Sequence, residues 1–256
     1  MTTLDLAPSD LKACCASFYA NDWIGWLLGG SLHPGGEALT RRLATLLNPR
    51  ADDLVLDVAS GRGDSARILE ESGASVVGVD LQVEGAPKGA TAVQADAEAL
   101  PFRDDQFDAA VCECSLCLFP DKATALSEMY RCLKPGGRLG IADVVLDVEG
   151  LPQELQSVAA YVACIGGAVD KERLMGLATE AGFVDLDWED HREALVEYIE
   201  GAKSRLVGVK LAMGLGKLPL PDGLDVDGAL RAVKRARELA EEGKASYGLL
   251  LGKKPA

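Results

Sequence analysis

Seven cysteines stand at positions 14, 15, 112, 114, 117, 132 and 164 of this 256-residue chain, and two of their groupings could do chemistry. An odd number of cysteines fits reduced thiols better than a disulfide framework. Taken singly, each reads as a small buried hydrophobe. Adjacent Cys14 and Cys15, and the Cys112-x-Cys114-x-x-Cys117 cluster, are harder to assign to packing alone. As thiolates they would bind soft electrophiles. The two histidines offer less. His33 sits in a turn-like His-Pro-Gly-Gly context and His191 in an acidic stretch, so each reads as a surface residue rather than a general base. Chemistry on sulfur that needs no proton abstraction is the reading these residues favour.

A second constellation starts at Asp57. The run Asp57-Val-Ala-Ser-Gly61-Arg-Gly63 follows an apolar stretch and precedes a helical one. Glycines there let the backbone approach a ligand closely, and the helix start offers unpaired N–H groups. The loop also satisfies the Gly-x-Gly-x-x-Ala pattern of nicotinamide cofactors, so its surroundings must discriminate. A carboxylate at Asp57 can bind a cationic amino group, which S-adenosylmethionine carries and NAD lacks. Asp80, followed by Leu81, is placed to accept ribose hydroxyls, and Asp96-Ala97-Glu98 suits an adenine edge. Together with Ala59, Ser60, Gly61 and Gly63 they make the expected cofactor cradle. Glu113 joins through the turn that follows its strand.

The elements that must position these residues alternate. Short apolar runs at Leu54–Val58, Ser75–Val79, Thr91–Gln94, Phe107–Cys114 and Arg138–Ala142 read as strands. Ser65–Ser72 and Lys122–Leu133 read as helices between them. That rhythm predicts a doubly wound α/β sheet, with ligands beyond the strands' carboxyl ends. Cys112 and Cys114 share a parity on the fourth strand, with Cys114 at its ligand-binding end. Before this core, residues 1–50 read as a helical segment carrying Cys14 and Cys15, with Asp10 capping Leu11–Tyr19 and a second helix over Glu37–Leu47. Residues 51–150 form the cofactor-binding core. Residues 151–256 form a C-terminal α/β extension carrying Cys164. Its predicted helices cover Leu151–Ala163, Leu174–Ala181, Glu193–Leu211 and Asp227–Glu242, with a last strand at Ser246–Leu251.

Composition narrows the setting. Hydrophobic residues make up 48% of the chain, as in ordinary globular proteins. A net charge of −14 would repel a phosphate backbone, which argues against nucleic acid and for a small-molecule substrate. No window is apolar for long enough to cross a bilayer, and the first residues lack a secretory pattern. The expectation is a soluble, cytoplasmic protein without a membrane partner.

From Asp53 to Asp143 the order of motifs resembles the class I S-adenosylmethionine-dependent methyltransferases, including Asp104-Asp-Gln-Phe-Asp108 and Leu133-Lys-Pro-Gly-Gly137. The resemblance implies their Rossmann-like sheet. Three further segments resemble the arsenite methyltransferases of that class: Leu11-Lys-Ala-Cys-Cys15, Cys114-Ser-Leu-Cys-Leu-Phe-Pro-Asp-Lys122 and Cys164-Ile-Gly-Gly-Ala168. This second resemblance implies that Cys114 and Cys164 bind trivalent arsenic, with Cys14 and Cys15 joining as ligands or exchanging disulfides during turnover. It also implies a thiol reductant as co-substrate, glutathione or a thioredoxin-type protein. One family cysteine is replaced here by Gly30, and Cys15 or Cys117 could stand in for it.

The chemistry implied is an in-line displacement. Three thiolates leave the lone pair of trivalent arsenic free to attack a sulfonium methyl, and orientation is what the protein supplies. Two other readings stay open. One is methylation of a small organic acceptor, quinone- or polyketide-like, with structural cysteines. The other is a thiol metal-binding or sensing module, for which the cysteine spacing lacks the paired Cys-x-x-Cys pattern of zinc sites.

Overall fold

A computed structural model describes residues 7–19, 26, 28–83, 91–155, 164–214 and 225–256. Strand β1 (Leu54–Val58) is buried along nearly its whole length, as a central parallel strand must be. β2 (Ser75–Asp80) and β4 (Phe107–Glu113) flank it in parallel, and β3 (Thr91–Gln94) lies outside β2. β5 (Leu133–Leu146) continues the parallel set. β7 (Ala245–Lys253) then runs antiparallel between β5 and β6 (Val184–Asp190). The order is β3-β2-β1-β4-β5-β7-β6. This is the expected doubly wound sheet, and the C-terminal region completes it.

Helices cover both faces. Among the described residues they include α1 (Pro8–Tyr19), α2 (Gly36–Leu47), α3 (Asp64–Glu70), α4 (Lys122–Cys132), α5 (Lys171–Glu180), α6 (Arg192–Gly214) and α7 (Val226–Glu241). Leu43 and Leu47 of α2 pack over Gly140 of β5, where a Cβ would crowd Leu43 at 3.1 Å. On the other face Leu126, Met129 and Leu133 are fully buried against Leu56, Ala110 and Ile141. Each such side chain contributes about 1.5–3 kcal/mol by leaving water.

Four differences from the sequence expectation have physical reasons. α1 starts at Pro8, so Asp10 lies in the first turn rather than at the cap. α3 runs from Asp64 to Glu70, with Gly63 in a left-handed conformation at its start. β5 absorbs the Lys134-Pro-Gly-Gly137 break, because Gly136 adopts φ +77° and its N–H, with the Gly137 carbonyl, pairs with the chain beyond β7. β6 went unanticipated because its run Val184-Asp-Leu-Asp-Trp-Glu-Asp190 is acidic. It is an edge strand, whose carboxylates discourage pairing with another chain, and Gly248 leaves room for its Trp188 indole. The helix expected over Leu151–Ala163 falls largely outside the described residues, apart from a turn at Gln153–Leu155. Among the described residues no helix is long and apolar enough to cross a membrane.

Candidate active site

The carboxyl ends of β1, β2 and β4 open into a cavity of about 540 Å³. Its floor is the turn after β1. Ala59 stands there at φ +58°, a left-handed conformation rare outside glycine, and Gly61 and Gly63 follow at +51° and +77°. The turn is tied to β2 by Ser60 N–H to the Val79 carbonyl (3.0 Å) and by Gly61 N–H to Asp80 Oδ2 (2.9 Å). Gly78 lies beneath, where a Cβ would meet Ser60 Oγ at 2.6 Å.

Asp57 decides what the cavity can hold. Its side chain is buried and lines the cavity, and Oδ2 has no hydrogen-bond partner. Desolvation, followed by the neighbouring Glu113 and Asp80 carboxylates, pushes its pKa up to about 8. An orphaned buried carboxyl oxygen among other acids is costly unless a cation or donor meets it. The α-ammonium and sulfonium of S-adenosylmethionine supply positive charge of that kind, so the residues present fit this cofactor. A nicotinamide dinucleotide would leave Asp57 unmet.

Most of the expected cradle lines this one cavity: Asp57, Ala59, Ser60, Gly61, Asp80 and Leu81, with Asp96, Ala97 and Glu113. Gly63 is buried just behind it as the cap of α3. Glu98 lies behind Asp96. There Lys12 of α1 donates to Asp96 Oδ2 (2.7 Å) and Glu98 Oε2 (2.6 Å) and ties the N-terminal helix to the site. The Glu113 side chain itself lines the cavity and is held in place. Thr40 Oγ1 donates to both of its oxygens (3.1 and 3.0 Å) and Ser65 Oγ to one (2.7 Å). His33 is not the surface residue expected: it lines the cavity, with Nδ1 3.7 Å from Glu113 Oε1. His191 lies elsewhere, against Glu189 (2.7 Å), which also pairs with Arg42. Each histidine thus has a carboxylate beside it.

The cysteines divide. Cys112 is fully buried on the face of α4, with Leu116 and Met129. Cys114 instead packs with Cys117, Cys164 and Cys15 on the other side. The shared parity expected for Cys112 and Cys114 fails because β4 ends at Glu113 and Cys114 takes φ +50°. Cys164 does the same at φ +65°. Such conformations cost on the order of 1–3 kcal/mol each and gather at functional sites. Here they bring Cys114 Sγ and Cys164 Sγ to 3.6 Å. The contact with Cys164, followed by burial, raises Cys114 well above the usual thiol range, and burial, followed by the neighbouring Cys164, does the same for Cys117. Cys15 and Cys114 both line the cavity, and Cys15, Cys112, Cys114, Cys117, Cys132 and Cys164 are in no disulfide. The side chain of Cys14 lies outside the described residues.

Sequence reasoning missed Asp143, Lys122 and Tyr247. Asp143, raised to about 7 by burial and by Cys164, accepts from Cys117 N–H (2.9 Å). Lys122 Nζ donates to the Cys117 and Phe119 carbonyls (3.1 and 3.0 Å). Tyr247 is fully buried in the apolar core cluster that also contains Cys114, Cys117 and Cys164. No spacing in the sequence joins these three: the pairing of β5 with β7 brings Asp143 and Tyr247 near each other, and the start of α4 brings Lys122.

Residues 56–141 match the family model described as a methyltransferase domain. The chain is 31% identical over 183 residues to a demethylmenaquinone methyltransferase of Corynebacterium kroppenstedtii, covering 62% of this chain and 80% of that one. The chain belongs to the class I S-adenosylmethionine-dependent methyltransferases. An arsenite methyltransferase of Aquipseudomonas alcaligenes is also 31% identical, over 201 residues, covering 69% of this methyltransferase and 58% of the relative. Phosphoethanolamine N-methyltransferase 2 of Haemonchus contortus, solved with S-adenosyl-L-methionine, superposes with a TM-score of 0.74 at 21% identity. That match covers 96% of this chain and 60% of the other, and it shows the fold. This methyltransferase therefore spans under two thirds of the length of the last two relatives.

Proposed function

We propose that this enzyme methylates trivalent arsenic held by Cys114 and Cys164. The observation that carries the reading is the 3.6 Å approach of their buried thiols beside the cavity that Asp57 and Cys114 both line. Similarity to a relative named an arsenite methyltransferase supports it. A soft trivalent element favours sulfur ligands, and a lone pair that is itself the nucleophile needs no general base.

Bound S-adenosylmethionine supplies an electrophilic methyl group. Asp57 would hold its ammonium, Asp80 its ribose, and Asp96 with Ala97 its adenine. Ser65 and Thr40 fix Glu113 in the lining of the cavity that Asp57 and Cys114 share. Cys114 and Cys164 orient the acceptor, which makes proximity the main source of rate. Cys15, lining the same cavity, is the thiol placed to exchange with a reductant such as glutathione or a thioredoxin-type protein.

A second reading has one observation in its favour. His33, beside Glu113 in the cavity, could serve as base for a hydroxylated organic acceptor, and the similarity to a quinone-ring methyltransferase is compatible with that. The two readings separate in one assay. Purified enzyme, methyl-labelled S-adenosylmethionine and glutathione are supplied with arsenite or with a panel of phenols and hydroquinones. Label in methylated arsenic supports the first reading; label only in an organic product rejects it.

A further inference from the structure

We propose that Lys12 of α1 is a positioning residue for the methyl donor: its ammonium fixes the Asp96 carboxylate that meets the adenine, so the N-terminal helix completes the adenine end of the cofactor site. This rests on the reading of Asp96 as the adenine contact and holds whichever acceptor is methylated.

α1 is seated by its apolar residues. Leu11 and Cys15, about one helical turn apart, are 8% and 5% exposed and pack in the core cluster that contains Cys114 and Leu118. That seating turns Lys12 to the cavity, which it lines together with Cys15. From there its ammonium reaches two carboxylates at once, Asp96 Oδ2 at 2.7 Å and Glu98 Oε2 at 2.6 Å. Of the three side chains Asp96 is the most open, at 36% exposure against 16% for each of the others, and it lines the cavity.

The remaining carboxylate oxygens are held as well. Asp96 Oδ1 accepts the Glu98 N–H at 3.0 Å, and Glu98 Oε1 accepts the Asp121 N–H at 2.9 Å, at the cap of α4. Each carboxylate oxygen carries two lone pairs, so Asp96 keeps capacity for a further donor from the cavity. The exocyclic amino group of adenine is a donor of that kind. An acceptor atom in its place would face a carboxylate that has only lone pairs to offer.

Charge explains why a cation is needed here. Asp96 and Glu98 crowd around one ammonium in a partly buried place, where like charges repel more strongly than in water. With Lys12 removed, the two anions lose the charge they share. The pair relaxes by turning Asp96 away or by taking up a proton, because close carboxylates disfavour each other's ionised form. A protonated Asp96 donates as well as accepts, and it no longer tells an amino group from a carbonyl oxygen. Lys12 therefore sets selectivity as well as affinity. A cation that served only to pin α1 would leave the selectivity alone.

The test is calorimetry on the full-length protein with S-adenosylhomocysteine and with S-inosylhomocysteine, the analogue with a carbonyl oxygen in place of the exocyclic amino group. Thermal midpoints check folding. Wild type should bind the inosyl analogue about tenfold or more weakly, the scale of one hydrogen bond to a charged group. Lys12→Met keeps the apolar stem and loses the charge. It should bind S-adenosylhomocysteine about tenfold more weakly, and the two ligands within about threefold of each other. Lys12→Met/Glu98→Gln, which also removes the opposing anion, should regain the discrimination. Should Lys12→Met not fold, Lys12→Gln is read in the same way. Discrimination that survives in Lys12→Met, or that Glu98→Gln fails to restore, would overturn this proposal alone. Equal binding of both ligands by wild type would reject the adenine contact of Asp96 together with it.

Discussion

Cys114 and Cys164 stand 50 residues apart in sequence, yet their sulfurs approach to 3.6 Å because both residues adopt left-handed backbone conformations. The strain lies on residues that no turn signature marks, one after β4 and one in the C-terminal region. It aims two buried thiols at each other beside the cavity that Asp57 and Cys114 line.

Asp57 should govern cofactor affinity. Asp57→Asn removes the charge that meets the ammonium group, a loss of about 1.5–3 kcal/mol for a charged hydrogen bond, or roughly tenfold to 150-fold in Kd. Calorimetry with S-adenosylmethionine measures it. Because Asp57 is pushed up to about 8 in the cofactor-free protein, binding near neutral pH should release a proton. Repeating the titration in buffers of different ionisation enthalpy detects that release, and Asp57→Asn should abolish it.

The same acids give the cofactor-free protein a pH signature. Asp57 and Asp143 are raised in the fold, to about 8 and about 7, from an ordinary carboxyl value of 3.8. Their protonated forms favour the fold, a contribution complete below the unfolded value and lost as pH rises through the folded ones. Thermal midpoints should therefore fall between about pH 5 and 8. Asp57→Asn should flatten part of that slope.

Ala59 offers a stabilising substitution. At φ +58° an alanine carries left-handed strain of about 1–2 kcal/mol that glycine does not, set against roughly 0.4–1 kcal/mol of extra unfolded-state entropy. Ala59→Gly should raise the thermal midpoint with little change in S-adenosylmethionine affinity. A lowered midpoint would mean that the strain argument fails here.

His33 separates the two acceptor chemistries. If arsenic's lone pair is the nucleophile, His33→Gln should keep arsenite methylation within several-fold of wild type. A base contributes about 10²–10⁴-fold, so a loss on that scale with a hydroxylated organic acceptor would mark His33 as its base, and the same loss with arsenite would contradict the lone-pair mechanism.

The sheet was legible because buried parallel strands read as short apolar runs, and Leu54–Val58 and Thr91–Gln94 begin and end where the sequence places them. β6 was not, since an edge strand guarded by carboxylates lacks that pattern. That Asp57, Gly61 and Asp80 line one cavity was legible as well, because a glycine turn and a strand-end acid are local features. The partners of Glu113 were not: Thr40 and Ser65 reach it from two helices that no periodicity connects. Nor was Cys114's change of face, which a positive φ decides against strand parity.

The central claim is that the two facing thiols hold the methyl acceptor. Cys114→Ser and Cys164→Ser, each first shown to bind S-adenosylmethionine as wild type does, are assayed for methylated arsenic with arsenite and glutathione. The account predicts product from wild type and none above background from either variant. Full activity in both variants, or no arsenic product from wild type, would contradict it.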